Sequence, residues 1–201
     1  MPGFVLAAAL AAASITALAQ NNPRDAQRLI TAMRISPGMT VGEIGAGTGG
    51  LTILMAQHVG AAGKVFTTEI NEARLGDTRN AVAAAGVGNV TVLVAGAESS
   101  NLPAGCCDAI FMRNVYHHFS NPAAISATLL AALKPGGRLA IIDFPPGNGP
   151  EGATPADRAK DGTHGVKKET VAAELEKAGF VRISAEEPGG AQEGFLVLVR
   201  K

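Results

Sequence analysis

The sequence predicts an α/β fold on a mostly parallel sheet, and three observations carry that prediction. From residue 21 onward, short runs rich in valine, isoleucine and phenylalanine alternate with longer alanine-rich stretches, the strand-then-helix rhythm of crossover units. The first run, Thr40 to Ile44, empties into Gly45-Ala46-Gly47-Thr48-Gly49-Gly50. The last two runs, Val181 to Glu186 and Phe195 to Arg200, flank Pro188-Gly189-Gly190, which marks an antiparallel hairpin.

Taken in order, Asn22-Pro23 opens a helix through Leu29, Ile30 and Met33, closed by Ser36-Pro37-Gly38. After the first strand and the glycine loop comes a helix from about Gly50 to His58. Lys64 to Thr68 is a second strand, Glu72 to Ala85 a helix stopped by Gly86, and Asn89 to Val94 a third strand. Asp108 to Arg113 is a fourth. Asn121 followed by Pro122 is a cap with proline at the first helical position, and that helix is expected to stop at Lys134-Pro135-Gly136-Gly137. Arg138 to Phe144 is the fifth strand. Pro145 to Gly165 has no clear period and reads as a long loop of the kind that covers a site. A helix from Lys168 to Ala178, ended by Gly179, precedes the hairpin.

The composition suits one domain. The chain has 201 residues, 47% hydrophobic, with 17 Lys+Arg against 17 Asp+Glu, enough to bury an ordinary core. A balanced charge gives no general electrostatic reason to expect a nucleic-acid partner. Cys106 and Cys107 are adjacent; neighbouring Cα atoms sit about 3.8 Å apart, short of usual disulfide spacing, so free thiols are expected. Phe4 to Ala19 is an uncharged apolar run ending Ala17-Leu18-Ala19, too short to span a membrane and shaped like a cleavable leader. Residues 1–19 are therefore expected to export or tether the chain, and residues 20–201 to form the domain. A cytoplasmic protein with a buried alanine-rich helix is the alternative.

Chemistry gathers at strand ends. Gly45, Gly47 and Gly49 let the backbone turn tightly and approach a ligand without Cβ obstruction. Glu43 precedes them by two residues. Glu69 ends the second strand, where a carboxylate can accept hydrogen bonds from both hydroxyls of a ribose. Glu98 follows the third strand in Gly96-Ala97-Glu98 and is placed to receive an adenine amino group. Gly45, Gly47 and Gly50 also satisfy the spacing of dinucleotide-binding proteins, so an NAD(P)-dependent oxidoreductase stays open at this point.

With these pieces in place, the chain resembles the class I S-adenosylmethionine-dependent methyltransferases over nearly everything from Asn21 to Lys201. The matching segments are VGEIGAGTGG, the acid Glu69, Gly-Ala-Glu after the third strand, CCDAIFMRNVYHHF, LKPGGRLAIIDF and the terminal hairpin. The resemblance implies a Rossmann-like three-layer sandwich with a seven-stranded sheet and an antiparallel last strand. It implies S-adenosylmethionine as cofactor, with the methionine end near Glu43, Gly45, Ala46, Gly47 and Gly49, the ribose on Glu69, the adenine near Ala97 and Glu98, and Asn114 beside the methionine moiety. A small-molecule acceptor is expected, and no nucleic acid.

Methyl transfer from a sulfonium is an in-line displacement, and an oxygen or carbon acceptor can also need a base. Tyr116, His117 and His118 follow the fourth strand, Asp143 ends the fifth, and His164 follows the long loop. All five are candidate catalytic residues. His58 lies far off in sequence, and no cysteine or carboxylate joins the others at ligand spacing, so no metal is expected. A cofactor-binding protein without catalysis is a further alternative.

Overall fold

The computed structural model describes residues 22–147, 149–160, 164–187 and 194–201. The apolar leader and the turn Pro188-Gly189-Gly190 lie outside the described residues. In chain order the elements are α1 (22–33), β1 (Thr40–Ile44), α2 (Gly50–Val59), β2 (Lys64–Glu69), α3 (Glu72–Ala84), β3 (Val90–Val94), β4 (Cys107–Arg113), α4 (Pro122–Ala132), β5 (Leu133–Asp143), α5 (Lys168–Lys177), β6 (Val181–Glu186) and β7 (Phe195–Arg200). One-turn 3-10 helices occupy Tyr116–His118 and Pro155–Asp157. Among the described residues no helix is long and apolar enough to cross a membrane.

The strands form one sheet in the order β3-β2-β1-β4-β5-β7-β6. Neighbours from β3 to β5 are parallel, whereas β7 runs antiparallel to both β5 and β6. This is the expected Rossmann-like architecture with its reversed last strand. The two-residue period of a strand sorts side chains onto opposite faces. Ala109, Phe111, Ala140, Ile142, Leu196 and Leu198 pack under α1 and α2, while Ile110, Met112, Leu139, Ile141, Val197 and Val199 pack under α4 and α5. Both faces are covered, which is why the central strands read as nearly continuous apolar runs.

The Asn121 cap forms where the sequence placed it, and the structure adds a second at Asn71. The Asn71 side chain accepts from the Arg74 amide at 3.1 Å to open α3, and that of Asn121 accepts from the Ala124 amide at 3.2 Å to open α4. β5 begins earlier than expected. Leu133 pairs with Cys107, and an irregularity before the Ala109–Arg138 pair absorbs the Pro-Gly-Gly segment, so what reads as a helix stop is also the strand's first, bulged stretch. The cysteine expectation is overturned too: Cys106 and Cys107 are joined as a vicinal disulfide. The usual Cα spacing describes bridges between separate chain segments, and neighbouring residues close a small ring instead.

The loop after β5 is pinned from beneath. Arg158, only 5% exposed, donates from two guanidinium nitrogens to the Glu174 carboxylate at 3.0 and 2.6 Å, and the Tyr116 hydroxyl donates to the same carboxylate at 2.9 Å. Glu174→Ala strands a buried cation and a buried hydroxyl, a change that costs about 3–5 kcal/mol in fully buried pairs. Glu151, 3.8 Å from Arg158, remains as a second anion and Glu174 is partly exposed, so a loss of about 2 kcal/mol is expected, read as a lower urea midpoint at unchanged slope.

Candidate active site

The strand order reverses between β1 and β4, and at that switch point the carboxyl ends of the strands part to leave a crevice. A cavity of about 630 Å³ occupies it, within the range of small-molecule sites. Glu43 and the glycine loop after β1 line it, with Glu69 from β2, Ala97 after β3, and Asn114, Val115 and His118 after β4.

The glycine loop owes its path to backbone conformation. Gly45, Gly47 and Gly49 have φ of 79°, 58° and 81°, the left-handed region that side chains with Cβ disfavour. A Cβ on Gly45 would also lie 2.4 Å from a Val115 methyl. The amides of Gly45 and Ala46 donate to the Thr68 carbonyl at 2.8 and 3.0 Å, and the Gly47 amide donates to Glu69 Oε2 at 3.0 Å. Glu69 Oε1 accepts from the amides of Ile70 and Asn71 at 2.9 and 3.0 Å. The Glu69 carboxylate is thus aimed by three amides, and Oε2, with one amide partner, keeps room for a further donor.

Glu43 is buried, and its Oε2 accepts from the hydroxyls of Thr52 and, at 2.8 Å, Thr67. Burial pushes its carboxyl up to about 7 despite those two donors, which favour the charged form. Asn114 takes φ 56° and donates its amide to the Ile142 carbonyl at 2.8 Å, a left-handed position asparagine tolerates. His118 is held below the usual histidine range, by burial first and then by its histidine neighbours, so it is neutral at pH 7.

Other expected residues sit elsewhere. Gly49 caps α2 without lining the cavity, its neighbour Gly50 doing so instead. The Glu98 carboxylate accepts from the Asn121 side-chain amide at 3.0 Å and does not line the cavity. Capping α4 with Asn121 brought that amide within its reach. Tyr116 is fully buried with its hydroxyl on Glu174, and burial raises its phenol above the usual range; the single turn after β4 rotates it inward. Asp143 is also fully buried. It accepts from His117 Nδ1 at 2.8 Å and from the His117 and Phe144 amides at 3.2 and 2.9 Å, so it positions His117 rather than facing the cavity. His117 is itself buried, and His164 reaches over its ring with centroids 4.6 Å apart.

The sequence reading missed Asn22, Arg74 and Arg113, which also line the cavity. Arg113 is paired to Asp25 of α1 at 3.0 Å. Cysteine or glycine patterns carry no signal for these; only the docking of α1 and α3 beside the loop places them.

Residues 41–137 match a family model described as a methyltransferase domain. The chain is 36% identical over 109 residues to the ubiquinone/menaquinone biosynthesis C-methyltransferase UbiE of Shewanella pealeana, a match that covers 54% of this chain and 43% of that protein. Its fold is similar to the crystal structure of a SAM-dependent methyltransferase from Aquifex aeolicus, with a TM-score of 0.74, 27% identity, and coverage of 88% of this chain and 89% of that one. These matches support a class I S-adenosylmethionine-dependent methyltransferase. The fold is not confined to that chemistry: the [4+2]-cyclase SpnF shares it at a TM-score of 0.74 and 17% identity, with 89% and 80% of the two chains covered. The chain spans less than half the length of the curated relative it matches, and the family match ends at Gly137, before His164 and α5.

The family's cofactor is S-adenosylmethionine, and the cavity fits it on two counts. Glu69 stands at the end of β2 with free acceptor capacity for a ribose. Asn22 lines the same cavity, and its side-chain oxygen is buried without a hydrogen-bond partner among the described residues, as expected of a group that receives a ligand donor. The oxidoreductase alternative needs a hydride-transfer constellation, and the sole tyrosine faces Glu174 instead.

Proposed function

We propose that this chain transfers the methyl group of S-adenosylmethionine to a small-molecule acceptor entering beside His118. The observation that carries the reading is one cavity with a ribose-type carboxylate, Glu69, and a glycine loop among its lining residues, together with the histidine that follows β4. When bound, the cofactor supplies a methyl group activated on a positively charged sulfur. Glu69 would hold the ribose hydroxyls, the backbone at Ala97 would meet the adenine, and the loop from Gly45 to Gly47 with Asn114 would hold the methionine end. Val115, Phe119 and Ile125 supply an apolar wall that keeps water from the reacting atoms, so alignment rather than proton transfer does most of the work.

The test is calorimetry with S-adenosylmethionine, its demethylated product and NAD. Binding of the first two supports the reading, and binding of NAD alone overturns it. The fold shared with a cyclase favours a second reading, cofactor binding without methyl transfer; binding with no methylated product from any acceptor would select it.

The leader belongs to this proposal. The apolar run at residues 4–19 supports export or a membrane tether. S-adenosylmethionine is made in the cytoplasm, so a tether that leaves the domain facing that side reconciles leader and cofactor. A C-terminal reporter fusion, with and without residues 1–19, is expected to be membrane-bound only with the leader; identical partitioning of both forms contradicts it.

A further inference from the structure

Beyond the cofactor cavity, the fold assembles a second group of side chains. His117 and His118 leave β4 on one turn, and His164 returns from the end of the long loop to meet them. One ring nitrogen from each lies within 4.8 Å of the other two. Three nitrogens on a tetrahedral zinc ion sit about 3.4 Å apart, given bonds near 2.0–2.1 Å, so the rings need to close by at most about 1.4 Å. His118 and His164 are exposed and have room to do so.

His117 is the fixed member. Its Nδ1 faces Asp143 Oδ1 at 2.8 Å, and a carboxylate can only accept, so in the neutral ring the proton resides on Nδ1 and Nε2 carries the lone pair. That Nε2 is buried with no hydrogen-bond partner among the described residues, although an unsatisfied buried polar atom costs about 1–3 kcal/mol. Asp143 in turn is held by two backbone amides. A carboxylate that fixes the tautomer of a histidine and leaves its other nitrogen bare is the arrangement found behind metal-bound imidazoles.

We propose that His117, His118 and His164 bind one divalent transition-metal ion of the zinc class, with Asp143 orienting His117 from behind. Three imidazoles suit zinc and its borderline neighbours and do not suit magnesium or calcium, which take oxygen ligands. Three protein ligands leave the fourth position open. His118 also lines the cofactor cavity, so the open position lies at that wall, where an acceptor hydroxyl or thiol would bind; this last point rests on the methyltransferase reading, whereas the ion site does not. The expectation that no metal centre forms considered spacing along the chain, and His164 joins the pair only through the fold.

The test uses the untagged chain without reductant, so that Cys106 and Cys107 stay joined and offer no thiolate. After chelator treatment, Co²⁺ is expected to bind one per chain with the visible bands of a four-coordinate ion, and Zn²⁺ to displace it. His164→Ala, on the surface and without risk to the core, should abolish those bands. Asp143→Asn should weaken binding about 10–100-fold. His58→Ala, whose ring sits on the Ile35 carbonyl at 3.0 Å, should bind as the parent does. Absence of stoichiometric binding, or a His164→Ala variant that binds like the parent, overturns the site. S-adenosylmethionine calorimetry on the same samples separates the outcomes: cofactor binding without metal rejects only the ion, and metal without cofactor rejects only the methyltransferase reading.

Discussion

Glu69→Ala is expected to weaken S-adenosylmethionine binding about 100-fold or more, measured by calorimetry against the parent chain. Hydrogen bonds to a charged group contribute about 1.5–3 kcal/mol each, two ribose hydroxyls depend on this carboxylate, and 1.4 kcal/mol is tenfold in affinity. The variant also releases the amides of Gly47, Ile70 and Asn71. Glu69→Gln separates the two effects, because its side-chain oxygen can still accept from some of those amides. An Ala variant that melts with the parent and binds with parental affinity would remove Glu69 from the site.

Glu43→Gln should change the pH dependence of stability more than any other single substitution in the cavity. The Glu43 carboxyl sits at about 7 in the fold against an ordinary value of 4.5, mainly through burial. The folded state therefore binds more protons than the unfolded state between those values, and stability falls as pH rises from about 4.5 through 7. At 1.36 kcal/mol per unit, the loss above pH 7 is about 3 kcal/mol. Glutamine carries no charge to bury, so urea midpoints should be nearly flat over that window and higher than the parent's at pH 8. A cation bound nearby favours the charged carboxylate, so cofactor binding to the parent near pH 7 should release up to one proton, read from calorimetry in buffers of different ionisation enthalpy. If Glu43→Gln shows the parental pH profile, the carboxyl is not the titrating group.

Much of this was legible in the chain itself. Asn121 and Pro122 announce their helix because a side-chain oxygen or a missing amide acts within one turn. Glu69 and the glycines were legible because a turn with positive φ and a carboxylate at a strand end need particular residue types at particular spacing. Glu98 was misplaced because its partner, Asn121, is remote in sequence. Tyr116 and His117 are adjacent and have opposite fates, one tied to α5 and one to β5; no periodicity separates neighbours on a single 3-10 turn.

The sequence alone determined the α/β class, the order of its elements, the reversed final hairpin and the glycine loop and carboxylate that line the cavity, because each follows from interactions within a few residues or from the two-residue period of a buried strand. Only the tertiary structure decided which titratable groups meet. The histidine cluster, the bare Nε2 of His117, the Arg158–Glu174–Tyr116 anchor and the elevated carboxyl of Glu43 all depend on burial and on contacts between distant segments. Burial sets the cost of an unpaired charge or polar atom, and it exists only once the sheet and its two helical layers have closed.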